Sequence, residues 1–351
     1  GMAVTIDSET GLISEWVYKG RSVIGEGFGK LVVFADDEDP WHMRSDFIKN
    51  SIGEFELLKG EPLRKFLGVD AVPMPVRVIE DGDVRTVIEA DFSYGNSFAA
   101  VRYLISKQGE NMEISIDLIC AETDSMIRIA FPDNLKNPEW LAETMFGVES
   151  AFMDGKEVIS HRFDMLREIN GLSLSIINDC VYGGTYQGGI LYKNLVRTPA
   201  YCAHPVDSRA ILPKDRYIPR MECGRSTFTF RIIPGDETLS LYDISKEAQI
   251  MNEPPMAMSF FPSGHGTEEL TQPSAVRVDG DVLVSALGRM CMGNHQEESL
   301  TLRLYEPAGR SGEFSVYCPT LGIEHHGKIA PFEIKTFHLE NSRISEVPIS
   351  D

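Results

Sequence analysis

The sequence predicts an all-β protein, one large β-sandwich followed by a small one, and three observations carry that expectation. Apolar residues recur with a period of two in short runs rich in β-branched and aromatic side chains. Gly, Pro, Asp or Asn clusters break those runs at short intervals. Strand-like runs do not alternate with long helical patterns, which argues against an α/β barrel or a doubly wound sheet.

Taken in order, Lys30–Ala35 is the first clear strand run. Arg85–Phe92 (RTVIEADF), Ser97–Ile105 (SFAAVRYLI) and Asn111–Leu118 (NMEISIDL) follow, separated by Tyr-Gly-Asn and Gln-Gly-Glu, and read as an antiparallel meander. Asn137–Thr144 (NPEWLAET) carries a short helical signal, a cap-like Asn before Pro, and Leu239–Ile250 is ambiguous. Leu172–Ile177 and Thr227–Ile233 are further strand runs. The paired prolines, Pro-Ser-Gly and His-Gly of Asn252–Gln272 mark the best domain boundary. The expected organisation is a large domain over 2–250, a linker over 251–272 and a small sandwich over 273–345. The last contains Val282–Leu287, Ser299–Tyr305, Glu313–Tyr317 and Phe332–Leu339.

The 351 residues are 42% hydrophobic and 25% charged, the composition of a folded chain. Acidic residues outnumber basic ones 53 to 33, giving a formal charge of -20. Such a surface repels phosphate backbones and anionic lipid, so nucleic acid and membrane are not expected partners, whereas a neutral sugar is compatible. The six cysteines contain no C-x-x-C and read mostly as buried free thiols. Neither a signal-peptide pattern nor an apolar run of about 18 residues occurs, and a cytoplasmic location is expected.

Nucleophile and phosphate motifs are missing: there is no G-x-S-x-G, H-E-x-x-H or Walker loop, and the glycines of Tyr182–Gly189 (YGGTYQGG) read as strand turns. His325 and His326 are adjacent, so on a strand they face opposite ways and cannot readily share a metal. The richest local chemistry is Ala35–Phe47 (ADDEDPWHMRSDF), with five carboxylates, a Trp, a His and an Arg. An aromatic face stacking on a sugar ring, with carboxylates accepting hydroxyl hydrogen bonds, makes Asp37, Asp39, Trp41 and His42 candidate carbohydrate contacts. A solvated acidic loop with Trp41 in an interface explains the same residues. Leu195–His204 (LVRTPAYCAH) reads as a bend at an interface or core edge.

In order along the chain, TGLISEWVYKGRSV, FADDEDPWHMRSDF, MIRIAFP, INDCVYGG, LVRTPAY, ECGRSTFTFRIIP, AQIMNEPP and LTLRLYEPAGR resemble the C-terminal region of family 38 glycoside hydrolases, the α-mannosidases. The second tryptophan of the family's Asp-x-Pro-x-x-Trp-Asp-Ala-Trp loop is lost here, and Ser226 replaces an expected His. The resemblance implies a galactose-mutarotase-like supersandwich and then a small β-sandwich. It also implies that this chain holds neither cofactor nor catalytic residues. The zinc and the aspartate nucleophile belong to an N-terminal barrel marked by His-x-Asp and His-His-Asp-Gly, and this sequence contains neither motif. The chain would begin within the first sandwich strand, as a truncated or split reading frame does. An arginine like Arg303 would lie near bound sugar.

The leading expectation is a non-catalytic module serving an α-mannosidase catalytic domain in the same or a neighbouring chain, with mannose-type carbohydrate as ligand; a homo-oligomer is compatible. A freestanding mutarotase-type epimerase, using a carboxylate and a histidine, and a carbohydrate-binding module are the alternatives.

Overall fold

Strand pairing follows the alternation. In Met112–Cys120 the residues Met112, Ile114, Ile116, Leu118 and Cys120 are buried while those between them are largely solvated, the mark of a sheet with one wet face. The computed structural model describes residues 2–36, 39–40, 50–201, 217–256, 275–289 and 300–348. They divide into two compact units: Gly1–Ala142 with Ser150–Thr238, and Glu143–Glu149 with Leu239–Asp351.

The first unit is a two-sheet supersandwich. Its larger antiparallel sheet runs Glu139–Thr144, Phe163–Arg167, Ser173–Asn178, Gly224–Gly235, Met112–Cys120, Ser97–Ser106 and Arg85–Tyr94, with Glu56–Leu57 and Val76–Asp81 both pairing onto the last. A six-stranded sheet runs Val158–Ile159, Gly183–Gln187, Ile190–Arg197, Ser125–Pro132, Lys30–Ala35 and Ser51–Glu54. Their facing side chains form one core in which Phe131 of the smaller sheet lies between Phe28, at 5.1 Å, and Phe230 of the larger, at 5.3 Å. Each fully buried large apolar side chain contributes about 1.5–3 kcal/mol, so a core of this breadth offsets the entropy of ordering many strands. A third, three-stranded sheet opens the unit with Met2–Ile6, Ile13–Tyr18 and Arg21–Ser22. Its second turn places Lys19 at φ 48 and Gly20 at φ 80, the paired left-handed residues of a tight hairpin whose twist matches its strands.

The second unit is a small sandwich. Arg277–Asp279, Gly312–Cys318 and Ile323–Ile329 form one sheet, and Leu283–Arg289, Leu300–Tyr305, Ile334–Glu340 and Arg343–Val347 the other. Leu302, Leu304, Phe337 and Leu339 pack on Phe314, Val316, Ile323 and Ile329.

Three local expectations change. Asn137–Thr144 is not helical: Asn137 sits at φ 47, and Glu139–Thr144 is a strand paired with Phe163–Arg167, because sheet burial of Trp140 and Leu141 outweighs a local cap signal. Leu239–Ile250 resolves into the helix Leu241–Asn252, started by a Ser240–Asp243 capping box. It groups with the second unit, whose first residue in this part of the chain is Leu239. Of the four described cysteines, all free, Cys120 and Cys318 are buried but Cys180 and Cys223 are exposed. Residues 257–272 of the expected linker lie outside the described residues, and among the described residues no helix is long and apolar enough to cross a membrane.

Candidate functional site

Ser125–Pro132 is buried along its whole length. Ile127, Ile129 and Phe131 enter the core, which turns Arg128 to the opposite face beside Met126 and Ala130. There, Val32, Phe34, Ile190 and Tyr192 make a small apolar cluster with those two residues. Arg128 is only 1% exposed. Its Nε donates to Asn194 Oδ1 at 2.6 Å, its Nη1 to Thr185 Oγ1 at 3.2 Å and its Nη2 to Glu157. The guanidinium carbon lies 5.2 Å from the Phe34 ring centre and 5.8 Å from that of Tyr192. Asn194 Nδ2 donates to the other Glu157 oxygen at 3.2 Å, so the carboxylate is held from two strands. Burial pulls the Arg128 pKa below its ordinary value, against the opposing pull of Glu157, and the pairing is what makes a buried cation tolerable.

A cavity of about 370 Å³ lies over this face of the six-stranded sheet. Arg128, Thr185, Gln187, Phe34 and Tyr192 line it, together with Lys30, whose Nζ donates to Glu54 Oε2 at 2.9 Å. Burial raises the Tyr192 phenol pKa, so it remains a neutral O–H at neutral pH. The described lining residues include no histidine or cysteine. Such a surface offers hydrogen bonds and ring faces, the chemistry of reversible binding.

The candidate carbohydrate contacts separate. Asp37, Trp41 and His42 lie outside the described residues. Asp39 is buried, and its backbone oxygen accepts from Arg197 Nη2 at 2.8 Å; the same arginine binds the Asp36 carboxylate. Arg197, read in the sequence as part of a separate bend, therefore anchors the start of the acidic segment. Arg303 belongs to the second unit, where its Nε donates to Thr336 Oγ1 at 3.2 Å on the neighbouring strand. His325 packs on Phe314 and Phe337, while His326, on the other face, meets Ser315 Oγ through Nδ1 at 2.7 Å and Glu324 through Nε2 at 3.2 Å. That Ser-His-Glu row copies the connectivity of an acyl-transfer triad, but its His and Glu are 64% exposed, where water competes for every bond. Arg128 was missed in sequence because MIRIAFP served only as a strand marker; the signal was a lone charge in an apolar run.

Among the described residues no cluster of three His, Cys, Asp or Glu side chains fits a metal ion, so the donor set for zinc is not found in them. Residues 2–209 match the model of the glycosyl hydrolases family 38 C-terminal domain. The chain belongs to that family. Alpha-mannosidase 2C1 of Homo sapiens and of Mus musculus are each 26% identical to this family 38 C-terminal domain over 196 residues, 54% of this chain and 17% of theirs. An alpha-mannosidase from Enterococcus faecalis V583 superposes with a TM-score of 0.74 at 11% identity, covering 97% of this chain and 41% of its own. A family 38 protein from Enterococcus faecalis gives 0.73 at 11% identity, covering 97% and 43%. This family 38 C-terminal domain thus spans about a sixth of the length of the curated relatives and about two fifths of the solved chains it matches.

Proposed function

We propose that the chain is the non-catalytic β portion of an α-mannosidase-type glycoside hydrolase, completing a zinc-dependent retaining catalytic domain carried on the same or a neighbouring polypeptide. The observation that carries this reading is the family match over 2–209, joined by a fold likeness that spans nearly all of this chain but well under half of a solved α-mannosidase. A mutarotase-type epimerase needs a carboxylate and a histidine in one enclosed cleft; among the described residues, the cavity over the six-stranded sheet is lined by Glu26 and Glu54 but by no histidine, and the paired His326 and Glu324 of the second unit are exposed.

The test is an assay of the purified chain with an aryl α-mannoside and added zinc, followed by the same assay after co-expression with a family 38 barrel domain encoded separately. The pure chain is expected to give no turnover and the co-expressed pair to copurify and hydrolyse the substrate. Chelator-sensitive turnover by the pure chain sinks the proposal, as does acceleration of glucose or galactose anomer interconversion.

A further inference from the structure

We infer that the cavity over the six-stranded sheet is a binding site for a neutral, polyhydroxylated ligand of one or two sugar rings, with Arg128 as its fixed floor. The inference stands on the cavity alone and does not need the mannosidase reading. Its volume of about 370 Å³ falls at the lower end of the range for small-molecule sites. Building the floor is costly, since a guanidinium has to be dehydrated and clamped by three side chains from three different segments. Among the described residues, two of its five N–H donors have no protein acceptor. The Tyr192 hydroxyl and the Gln187 side-chain amide likewise lack protein hydrogen-bond partners among the described residues and line the same space.

Charge selects the ligand class. Lys30 and Arg128 contribute two positive charges to the lining, and Glu26 and Glu54 two negative ones; Glu157, bonded to Arg128, brings the sum to minus one. An anion gains nothing there, and a cation meets the guanidinium at the floor. A neutral polyol can accept from Arg128, exchange hydrogen bonds with Gln187 and Tyr192, and lay its C–H face against Phe34 and Ile190. The strand register makes the arrangement rigid: Arg128 pairs with Val32 and Asn194, and Tyr192 with Ala130 and Thr185.

The experiment is calorimetry and ligand-observed NMR on the full chain with methyl α-mannoside, a mannobiose, methyl β-galactoside, and inorganic phosphate as the anionic probe. At least one sugar is expected to bind with a millimolar constant. Gln187→Ala, on an exposed side chain, and Tyr192→Phe, which keeps the ring, are each expected to weaken that binding about fivefold, the worth of one hydrogen bond. Their unfolding curves are expected to match the parent chain, so a loss is not misfolding. Absence of binding by every sugar at 50-fold excess over about 1 mM overturns the inference, as does phosphate binding lost in Gln187→Ala, or sugar binding that neither substitution changes. None of these failures bears on whether the chain completes an α-mannosidase, since a structural role needs no ligand.

Discussion

Lys193 and Asp164 are both fully buried, joined at 2.8 Å between the two sheets of the first unit. Ser160 Oγ donates to Asp164 Oδ2 at 2.9 Å and accepts from Lys193 Nζ at 2.6 Å, while Trp140 Nε1 donates to Asp164 Oδ1 at 2.9 Å. Every charged atom is thereby answered, and removing one member strands the other. Asp164→Ala is expected to cost about 3–5 kcal/mol in urea unfolding, and Asp164→Leu with Lys193→Met to recover much of it. Glu168 works differently. It binds Arg21 and accepts the amides of Lys136 at 2.5 Å and Leu172 at 3.1 Å, and these bonds, Arg21 first, hold its carboxyl at about 2 against an ordinary 4.5. A depressed carboxylate contributes stability that is fully present above pH 4.5 and is lost as pH falls toward 2. Unfolding free energy is expected to drop by roughly 2–3 kcal/mol across that window, and Glu168→Gln to flatten this part of the pH profile.

The same local economy shapes the elements. Gly184, in the YGGTYQGG run, faces the Lys193 stem: a Cβ there would lie 2.6 Å from the Tyr192 carbonyl oxygen and 3.1 Å from Lys193 Cδ. Gly184→Ala is expected to destabilise by about 1–3 kcal/mol, and amide exchange along Gly183–Gln187 to quicken, because the backbone clash cannot be relieved by a rotamer change. In the second unit, Glu306 of LYEPAGR is 1% exposed and accepts four backbone amides: Ala308 at 2.8 Å, Gly309 at 2.8 Å, Arg310 at 3.0 Å and Phe332 at 3.0 Å. It replaces the hydrogen bonds that an irregular loop cannot make with itself. Glu306→Ala is expected to cost about 2–4 kcal/mol. Motif residues that read in sequence as family markers thus have local physical duties. Asn178 of INDCVYGG is another, accepting from Val181 at 2.7 Å and donating to the His161 carbonyl at 3.1 Å.

At the scale of the molecule, the two units have separate hydrophobic clusters, one around Phe131, Phe230 and Ile116, the other around Leu302, Phe314 and Phe337. Calorimetry is expected to resolve this. Asp164→Ala should lower the melting transition of the first unit and Glu306→Ala that of the second, each leaving the other within about 1 °C. A single transition moved equally by both variants contradicts this expectation.

Much of the architecture was legible in the sequence because a strand with one buried face announces itself by alternation. Ser97–Ser106, Met112–Cys120 and Gly312–Cys318 each match an expected run to within two residues at either end. Strands buried on both faces were harder, since Ser125–Pro132 has no period to detect, and Asn137–Thr144 showed a cap signal that sheet pairing overruled. The cavity was not legible at all. Arg128, Glu157, Thr185 and Asn194 lie up to 66 residues apart, and only the register of three strands brings them together. By itself, then, the sequence determined the β class, the order of two sandwiches and the family, all of which rest on local patterns repeated along the chain. Only the tertiary structure decided which charge is buried, and what it faces, because that depends on which strands become neighbours.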